Sequence, residues 1–520
     1  MNGRESTRAS LSLSSRLFLH VIPLIAGMAT MTLEMSASRL LAPYFGNSLP
    51  VWGVIIAMLL AFLAIGNELG GRLAERWPQL DSFLQLPALA GVAVGLIPSL
   101  ANPMLRTAMY SFARYDASTT LAALFASLLL FAPAVVLLGA IVPFAVRITT
   151  ERGESSGVVA GRLYALSTVG SLIGTFVSVF VLIPSIGTRR TIVTVSVILL
   201  TTAIIGLARS AWRIALIYLL LLACIITIAL SSSMAIKPTQ GLVYEADSAY
   251  NYIQVIQSGP ELLLKLNEGE GIQSSYIPGE TLTGYFYDYF LLVPYFRKNV
   301  RDPPLANLCL IGLAAGTSVR QFTDIFGAIP IDGVEIDPTI VTIGRQFFDM
   351  KQRNLRVFAE DGRFFLAQSG QHYDVILVDA YNPPYIPFHL TTMEFFQLTS
   401  DHLDSDGVMA INVARTEHDR ELAEAIAATL SAVYPAVYTI DTVGELNSLV
   451  IASKQQTDLG EITAKLHSLA DPMLQGVVSR AAGRIHRFDR SDQRILTDDL
   501  APVEQLVHSM VARFLLEDSR

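Results

Sequence analysis

Three carboxylates stand just after short apolar runs in the C-terminal half of the chain: Glu335 in DGVEID, Asp361 in RVFAEDG and Asp379 in DVILVDA. Each run has the length and composition of a buried strand, so each acid is expected at a strand end. A carboxylate there can accept hydrogen bonds from a ribose or from the amino group of a base, or take a proton from a nucleophile. Upstream, Gly312 and Gly316 bracket the turn GLAAG, where small residues let a ligand approach the backbone and the next helix offers free amides. Glu335 follows this turn by roughly 20 residues, the spacing at which an acid meets ribose hydroxyls. Asp361, followed by Gly362, suits the amino group of adenine, with capping of the helix from Arg363 as its competing role. Asp379 would face the cleft in which a second substrate sits. Three acids at consecutive strand ends point to an adenosine-type ligand.

These side chains need a scaffold that gathers strand ends. From Asn307 onward NLCLIGL, PIDGVEI, LRVFAE and YDVILVD read as strands, with helices over Thr317 to Phe326 and Thr339 to Asp349. Such alternation implies an α/β domain whose parallel sheet is covered on both faces and binds ligands at the carboxyl ends of its strands; it is expected over 301–515. Ahead of it, 241–300 alternates in YNYIQVIQ and ELLLKLNEGEGIQSSY, which predicts a small β subdomain of hairpins. Tyr250, Tyr285, Tyr287 and Tyr289 are candidates to wall an amine pocket through ring contacts, with plain packing as the alternative. Gln273 is a further candidate for substrate binding.

The first 235 residues are of another kind. Seven apolar stretches, near 17–42, 51–70, 83–101, 119–146, 158–184, 191–208 and 212–232, approach the roughly 20 residues that a helix needs to cross a bilayer. The chain is 52% hydrophobic and 16% charged, too apolar for a wholly soluble protein, so a multi-pass α-helical membrane domain is expected over 1–235. The first stretch carries Glu34 and Arg39 with no small-residue cleavage site after it, and should stay in the membrane. Those two residues lie about one turn apart and are expected to pair, a polar substrate path being the alternative. Gly157 with Gly161, and Gly170 with Gly174, have the spacing of close helix crossings.

Arg4, Arg8, Arg16, Arg72, Arg76, Arg147, Arg152, Arg162, Arg209 and Arg213 favour one side of the membrane over Arg106, Arg114, Arg189 and Arg190. By the positive-inside rule the N-terminus is then cytoplasmic and an odd number of spans puts the C-terminal domain outside. Nucleotide chemistry argues instead for a cytoplasmic catalytic domain on a bacterial-type plasma membrane, and the closely spaced last two spans are the weakest part of the count. A net charge of −8 without a basic patch argues against nucleic acid as a partner. Cys224 and Cys309 suggest neither a disulfide framework nor a metal site, and the eight histidines show no ligand spacing, so no metal is expected. His389 and His402 are expected only to pack.

The motifs LIGLAAGT, GVEID, AEDGRFF and VDAYNPP, with LTDDLAPVE at 496–504 and the fifth apolar stretch, resemble the membrane-fused branch of the spermidine synthases, the polyamine aminopropyltransferases. The soluble match runs from about Tyr244 to Asn412. The resemblance implies a class I methyltransferase-like Rossmann fold behind the β subdomain, and transfer of an aminopropyl group from decarboxylated S-adenosylmethionine to a small-molecule amine. By position it implies Glu335 on the ribose, Asp361 on the adenine and Asp379 as general base. The family's turn carries an aspartate where this chain has Ala315, a second acid where it has Asn382, and a glutamine where it has Asn251. Those exchanges put putrescine as acceptor in question and require another acid, Asp498 or Asp499, to reach the donor's amine. Two rival readings remain. Asn382 to Tyr385 spell the NPPY of amino-group methyltransferases, with Asn382 holding the acceptor nitrogen and S-adenosylmethionine as donor. In the other, the helices transport or sense a polyamine, as GNELGGRLAERWP, which resembles a major facilitator loop, would suggest. A homo-oligomer is compatible with each.

Overall fold

The structure is a computed structural model that describes residues 13–45, 49–114, 119–150, 155–231, 237, 239–267, 271–300, 304–381, 385–444, 446–489 and 493–518. It divides into two units, Met1–Pro238 with Ala246–Tyr252, and Thr239–Glu245 with Ile253–Arg520.

The first unit contains, among the described residues, seven helices long and apolar enough to cross a membrane. They are α1 (Leu13–Phe45), α2 (Leu49–Arg76), α3 (Leu80–Arg114), α4 (Thr119–Thr150), α5 (Ser156–Ile186, with a π turn at Ser178–Leu182), α6 (Thr188–Leu207) and α7 (Trp212–Ser231). The last two are separate helices, as the hydropathy pattern indicated. Their outward side chains are apolar, Phe180 being 70% and Leu230 83% exposed, which suits hydrocarbon and not water.

Close packing inside this unit rests on small residues at the crossing of α2 with α4, where Gly66, Gly70 and Gly139 face the partner backbone, and at that of α1 with α5. A Cβ on Gly170 or Gly174 of α5 would collide with the backbone carbonyl of Leu24 or Met28 on α1, and one on Gly27 with the carbonyl of Ser167. Beside that contact Ser178, at the π turn, donates to Thr32 Oγ1 at 2.8 Å. Gly157 and Gly161 have open space around them, so of the two expected glycine pairs only the second builds a crossing. Gly170→Leu is therefore expected to cost at least about 2 kcal/mol in a detergent melt, by overpacking, whereas Gly161→Ala should leave the melting temperature within error. Equal effects would refute the assignment of the crossing.

The expected Glu34–Arg39 pair is corrected. Arg39 reaches the hairpin tip that belongs to this unit, pairing with Asp247 at 3.5 Å and donating to the carbonyls of Ser248 and Ala249. Asp247 in turn accepts from the Thr188 hydroxyl at the start of α6. A guanidinium reaches further than one helical turn, and several acceptors at the tip satisfy it better than one carboxylate. Glu68 pairs with Arg72 at 2.8 Å on the exposed side of α2.

The second unit opens with a four-stranded sheet in the order β1 (Leu242–Asp247), β2 (Tyr252–Ser258), β3 (Glu261–Leu266), β4 (Ile272–Tyr276), the last three antiparallel. An eight-stranded sheet follows. Its parallel part comprises β5 (Leu308–Ile311), β6 (Ile331–Val334), β7 (Leu355–Phe358), β8 (Tyr373–Val378) and β9 (Leu403–Ala414). Helices α8 (Thr317–Phe326), α9 (Pro338–Phe347), α10 (Gly362–Gln368) and α11 (Met393–Asp401) connect these strands. Beyond β9, and after α12 (Glu421–Ser431), lie β10 (Ala436–Asp441), β11 (Asn447–Ser453) and β12 (Ile485–Arg487), all antiparallel. The full order is β12-β10-β11-β9-β8-β5-β6-β7. Two apolar layers cover its faces, one around Phe296, Phe322 and Tyr438, the other around Phe365, Phe396 and Ile426. Since β5 has β6 on one side and β8 on the other, the connections after these strands diverge and leave a crevice at their carboxyl ends.

Candidate active site

The crevice is floored by the turn between β5 and α8. Gly312 has φ +88° and Gly316 φ +90°, both in the left-handed region. A Cβ on Gly312 would press on the carbonyl of Asp379 and lie 2.8 Å from the amide nitrogen of Ala380, so the glycine lets two strand ends touch. Gly312→Ala should thus displace Asp379 as well as strain the turn, and lose activity even if the protein still melts cooperatively. A fully active variant would contradict this. Ala314, at φ +46°, donates its amide to Glu335 Oε2 at 2.9 Å, and Ala315 donates to Ser274 Oγ of β4 at 2.9 Å. Thr317 Oγ1 accepts from the Ser275 amide and donates to the Ser275 carbonyl, both at 3.0 Å, tying the small sheet to the start of α8.

Each sequence-derived acid sits one to three residues beyond its strand. Glu335 follows β6; the residue is 7% exposed and its carboxyl also accepts from the Asp337 amide at 3.1 Å. Burial raises its pKa to about 7, against the lowering effect of those amides. Asp361 follows β7 and caps α10, accepting from the Arg363 and Phe364 amides at 3.0 Å, so the capping role is real. Its Oδ2 lies 2.9 Å from His389 Nε2, and this bond leads the effects that lower its pKa. The next residue is necessarily small, since a Cβ on Gly362 would meet the Ile311 side chain. Asp379 follows β8, its amide bonded to the Ile311 carbonyl at 2.8 Å. Its Oδ1 accepts from Asn412 Nδ2 at 3.0 Å, and Asn412 Oδ1 accepts from Asn447 Nδ2 at 2.9 Å. Tyr381 donates to the Asn412 carbonyl at 3.1 Å; burial first, and the charge of Asp379 second, push its pKa up and keep it a donor.

The proposed amine pocket is less uniform. Tyr287 is buried and donates to the Ile272 carbonyl at 2.6 Å, while Tyr289 is buried and accepts from the Val443 amide at 3.3 Å. Tyr285 donates to Glu261 Oε2 at 3.4 Å. These hydroxyls hold the fold together. Gln273 is half-buried on β4, beside the serine that binds the Ala315 amide. Tyr250 is 48% exposed at the hairpin tip grouped with the helices. Asn382 lies outside the described residues, with Pro383 and Pro384.

Two expectations change. His389 does more than pack, because its ring meets Asp361, whereas the His402 ring bonds the Leu398 and Ser369 carbonyls at 2.9 and 3.0 Å. Asp498, expected to reach the donor's amine, instead forms a two-point pair with Arg363 at 2.7 and 2.6 Å and accepts from Thr392 at 2.8 Å. A bidentate guanidinium is the stronger partner for that carboxylate. Ala315 is fully buried.

Residues 316–461 match the spermine/spermidine synthase domain family. A probable polyamine aminopropyl transferase of Bifidobacterium longum is 32% identical over 299 residues, 54% of this chain and 65% of that protein. The chain thus spans just under two thirds of the length of this relative. A polyamine aminopropyltransferase of Vibrio vulnificus is 28% identical over 284 residues, 51% of this chain and 91% of that protein. One from Oceanobacillus iheyensis is 23% identical over 476 residues, 82% of this chain and 89% of that protein. The matched span contains Glu335, Asp361, Asp379 and the two asparagines behind Asp379. Over residues 316–461, therefore, the chain is similar to the spermine/spermidine synthase domain.

Proposed function

We propose that the chain is a membrane-anchored polyamine aminopropyltransferase that takes its aminopropyl group from decarboxylated S-adenosylmethionine. The observation that carries this reading is the set of acids at the carboxyl ends of β6, β7 and β8 around the β5 turn, Glu335 buried against the Ala314 amide and Asp379 fixed by Asn412. The residues fit a nucleoside: Gly312 and Gly316 give a backbone without Cβ atoms, Glu335 accepts both ribose hydroxyls, and Asp361 accepts from the adenine amino group. Asp379 attracts the protonated acceptor amine and removes its proton. The freed lone pair attacks the aminopropyl carbon next to sulfur, the carbon–sulfur bond breaks, and methylthioadenosine leaves with the electron pair. This chemistry needs position and deprotonation and no covalent enzyme intermediate. Asn382 in place of an acid favours an acceptor other than putrescine, while Ala315 leaves the donor's amine to another acid. The seven apolar helices anchor the domain at a plasma membrane, and the nucleoside donor favours a cytoplasmic crevice, which with seven spans runs against the arginine bias.

A thermal-shift comparison on the detergent-purified full chain tests the donor. Stabilisation by decarboxylated S-adenosylmethionine and methylthioadenosine is expected. No shift with these or with S-adenosylmethionine would count against a nucleoside enzyme and for a transporter or sensor.

A further inference from the structure

At position 6 adenine carries an amino donor and hypoxanthine an oxo acceptor, while the adjacent N1 is an acceptor in the first and an N–H donor in the second. A carboxylate facing position 6 accepts from the first and repels the second, but only if its lone pairs are aimed. Asp361 is aimed from two sides. The Arg363 and Phe364 amides bind Oδ1, as in any helix cap, while Oδ2 is bound by His389, from the segment between β8 and α11. Facing an ionised carboxylate, Nε2 carries the proton and donates.

The histidine is itself held. Arg363 Nη1 donates to the His389 carbonyl at 3.2 Å, and the same guanidinium is gripped at two points by Asp498. Asp498 also accepts from Thr392 Oγ1, and its amide donates to Glu394 Oε2 at 3.0 Å. A tail segment more than a hundred residues downstream thus reaches the adenine-facing acid through Arg363 and His389. Packing of LTDDLAPVE would not by itself require this chain of charge-assisted bonds.

We propose that His389, held by Arg363 and Asp498, is a positioning residue that sets the selectivity of the donor site for a 6-amino over a 6-oxo purine nucleoside. The inference rests on the reading of Asp361 as the adenine acceptor. Free of His389, the Asp361 carboxylate can turn about its last torsion and present its charge less squarely to the amino group.

The test is calorimetric titration of the full chain in detergent with methylthioadenosine and methylthioinosine. The parent should prefer the amino nucleoside. In His389→Ala that preference should fall about tenfold, equivalent to about 1.4 kcal/mol, through weaker binding of methylthioadenosine. His389→Gln, which keeps an N–H donor, should recover much of it, and Asp498→Asn should show a smaller loss in the same direction. A preference unchanged in His389→Ala would overturn the inference while leaving the nucleoside site intact. So would an equal loss of both nucleosides without recovery in His389→Gln, which is what a merely structural role produces. A parent that binds neither nucleoside would overturn both this inference and the proposed function.

Discussion

Replacement of Asp379 by Asn is expected to lower turnover by a factor of roughly 100 to 10,000, the range for loss of a general base, while methylthioadenosine binding stays within a few-fold of the parent. The substitution keeps the volume of the side chain and an oxygen for the Asn412 amide, so the strand end and its contact with Gly312 should persist. What disappears is the proton acceptor and the charge that draws in a cationic amine. The acceptor's KM should therefore rise as kcat falls. Steady-state kinetics with varied amine, alongside nucleoside titration, separate the two effects. Parent-like turnover in Asp379→Asn would remove this residue from the mechanism.

The second large effect belongs to Glu335. Glu335→Gln should weaken methylthioadenosine binding by about 1.5 to 3 kcal/mol, the worth of hydrogen bonds to a charged group, or roughly 10- to 150-fold. The pH dependence follows from its environment. Burial, with the charge of Asp337 adding to it, holds the carboxyl's pKa at about 7 in the free protein. Ribose hydroxyls donate to the ionised form and lower that value, so binding expels a proton. Nucleoside affinity should therefore rise about tenfold between pH 6 and pH 8, and the rise should vanish in Glu335→Gln. For the empty protein the sign is opposite. A raised carboxyl pKa gives a contribution to stability that is present below about pH 4.5 and is lost as pH rises through about 7. Titrations at three pH values decide the matter: a flat profile in the parent would mean that Glu335 does not receive the ribose.

Strand ends were legible because these parallel strands are apolar towards their carboxyl ends, their polar residues Asp332, Arg356 and Asp374 lying near the start, so the acid after the last apolar residues marks the exit. That physics puts Glu335, Asp361 and Asp379 at strand ends from sequence alone. It does not extend to β9, β10 and β11, where Asn412 and Asn447 lie inside or at the margin of apolar strands and look like exceptions to the pattern. Their meaning appears only when the antiparallel register sets Leu449 opposite Asn412 and brings the Asn447 amide within reach of the Asn412 side chain. His389 was hidden for a related reason. A histidine in a loop carries no periodic signal, and its partner is 28 positions away. In the helical unit, hydropathy fixed seven apolar helices well. The same count could not tell that Arg39 would bypass Glu34 for the carbonyls of a hairpin tip, because side-chain reach depends on contacts distant in sequence.

Product identity is the most direct measurement. The detergent-purified full chain is incubated with equal amounts of decarboxylated and intact S-adenosylmethionine and a panel of diamines and triamines, and the nucleosides formed are separated and weighed by mass spectrometry. Aminopropyl transfer predicts methylthioadenosine, formed only when an amine is present, together with an acceptor heavier by one aminopropyl group. Accumulation of S-adenosylhomocysteine with a methylated acceptor would contradict it.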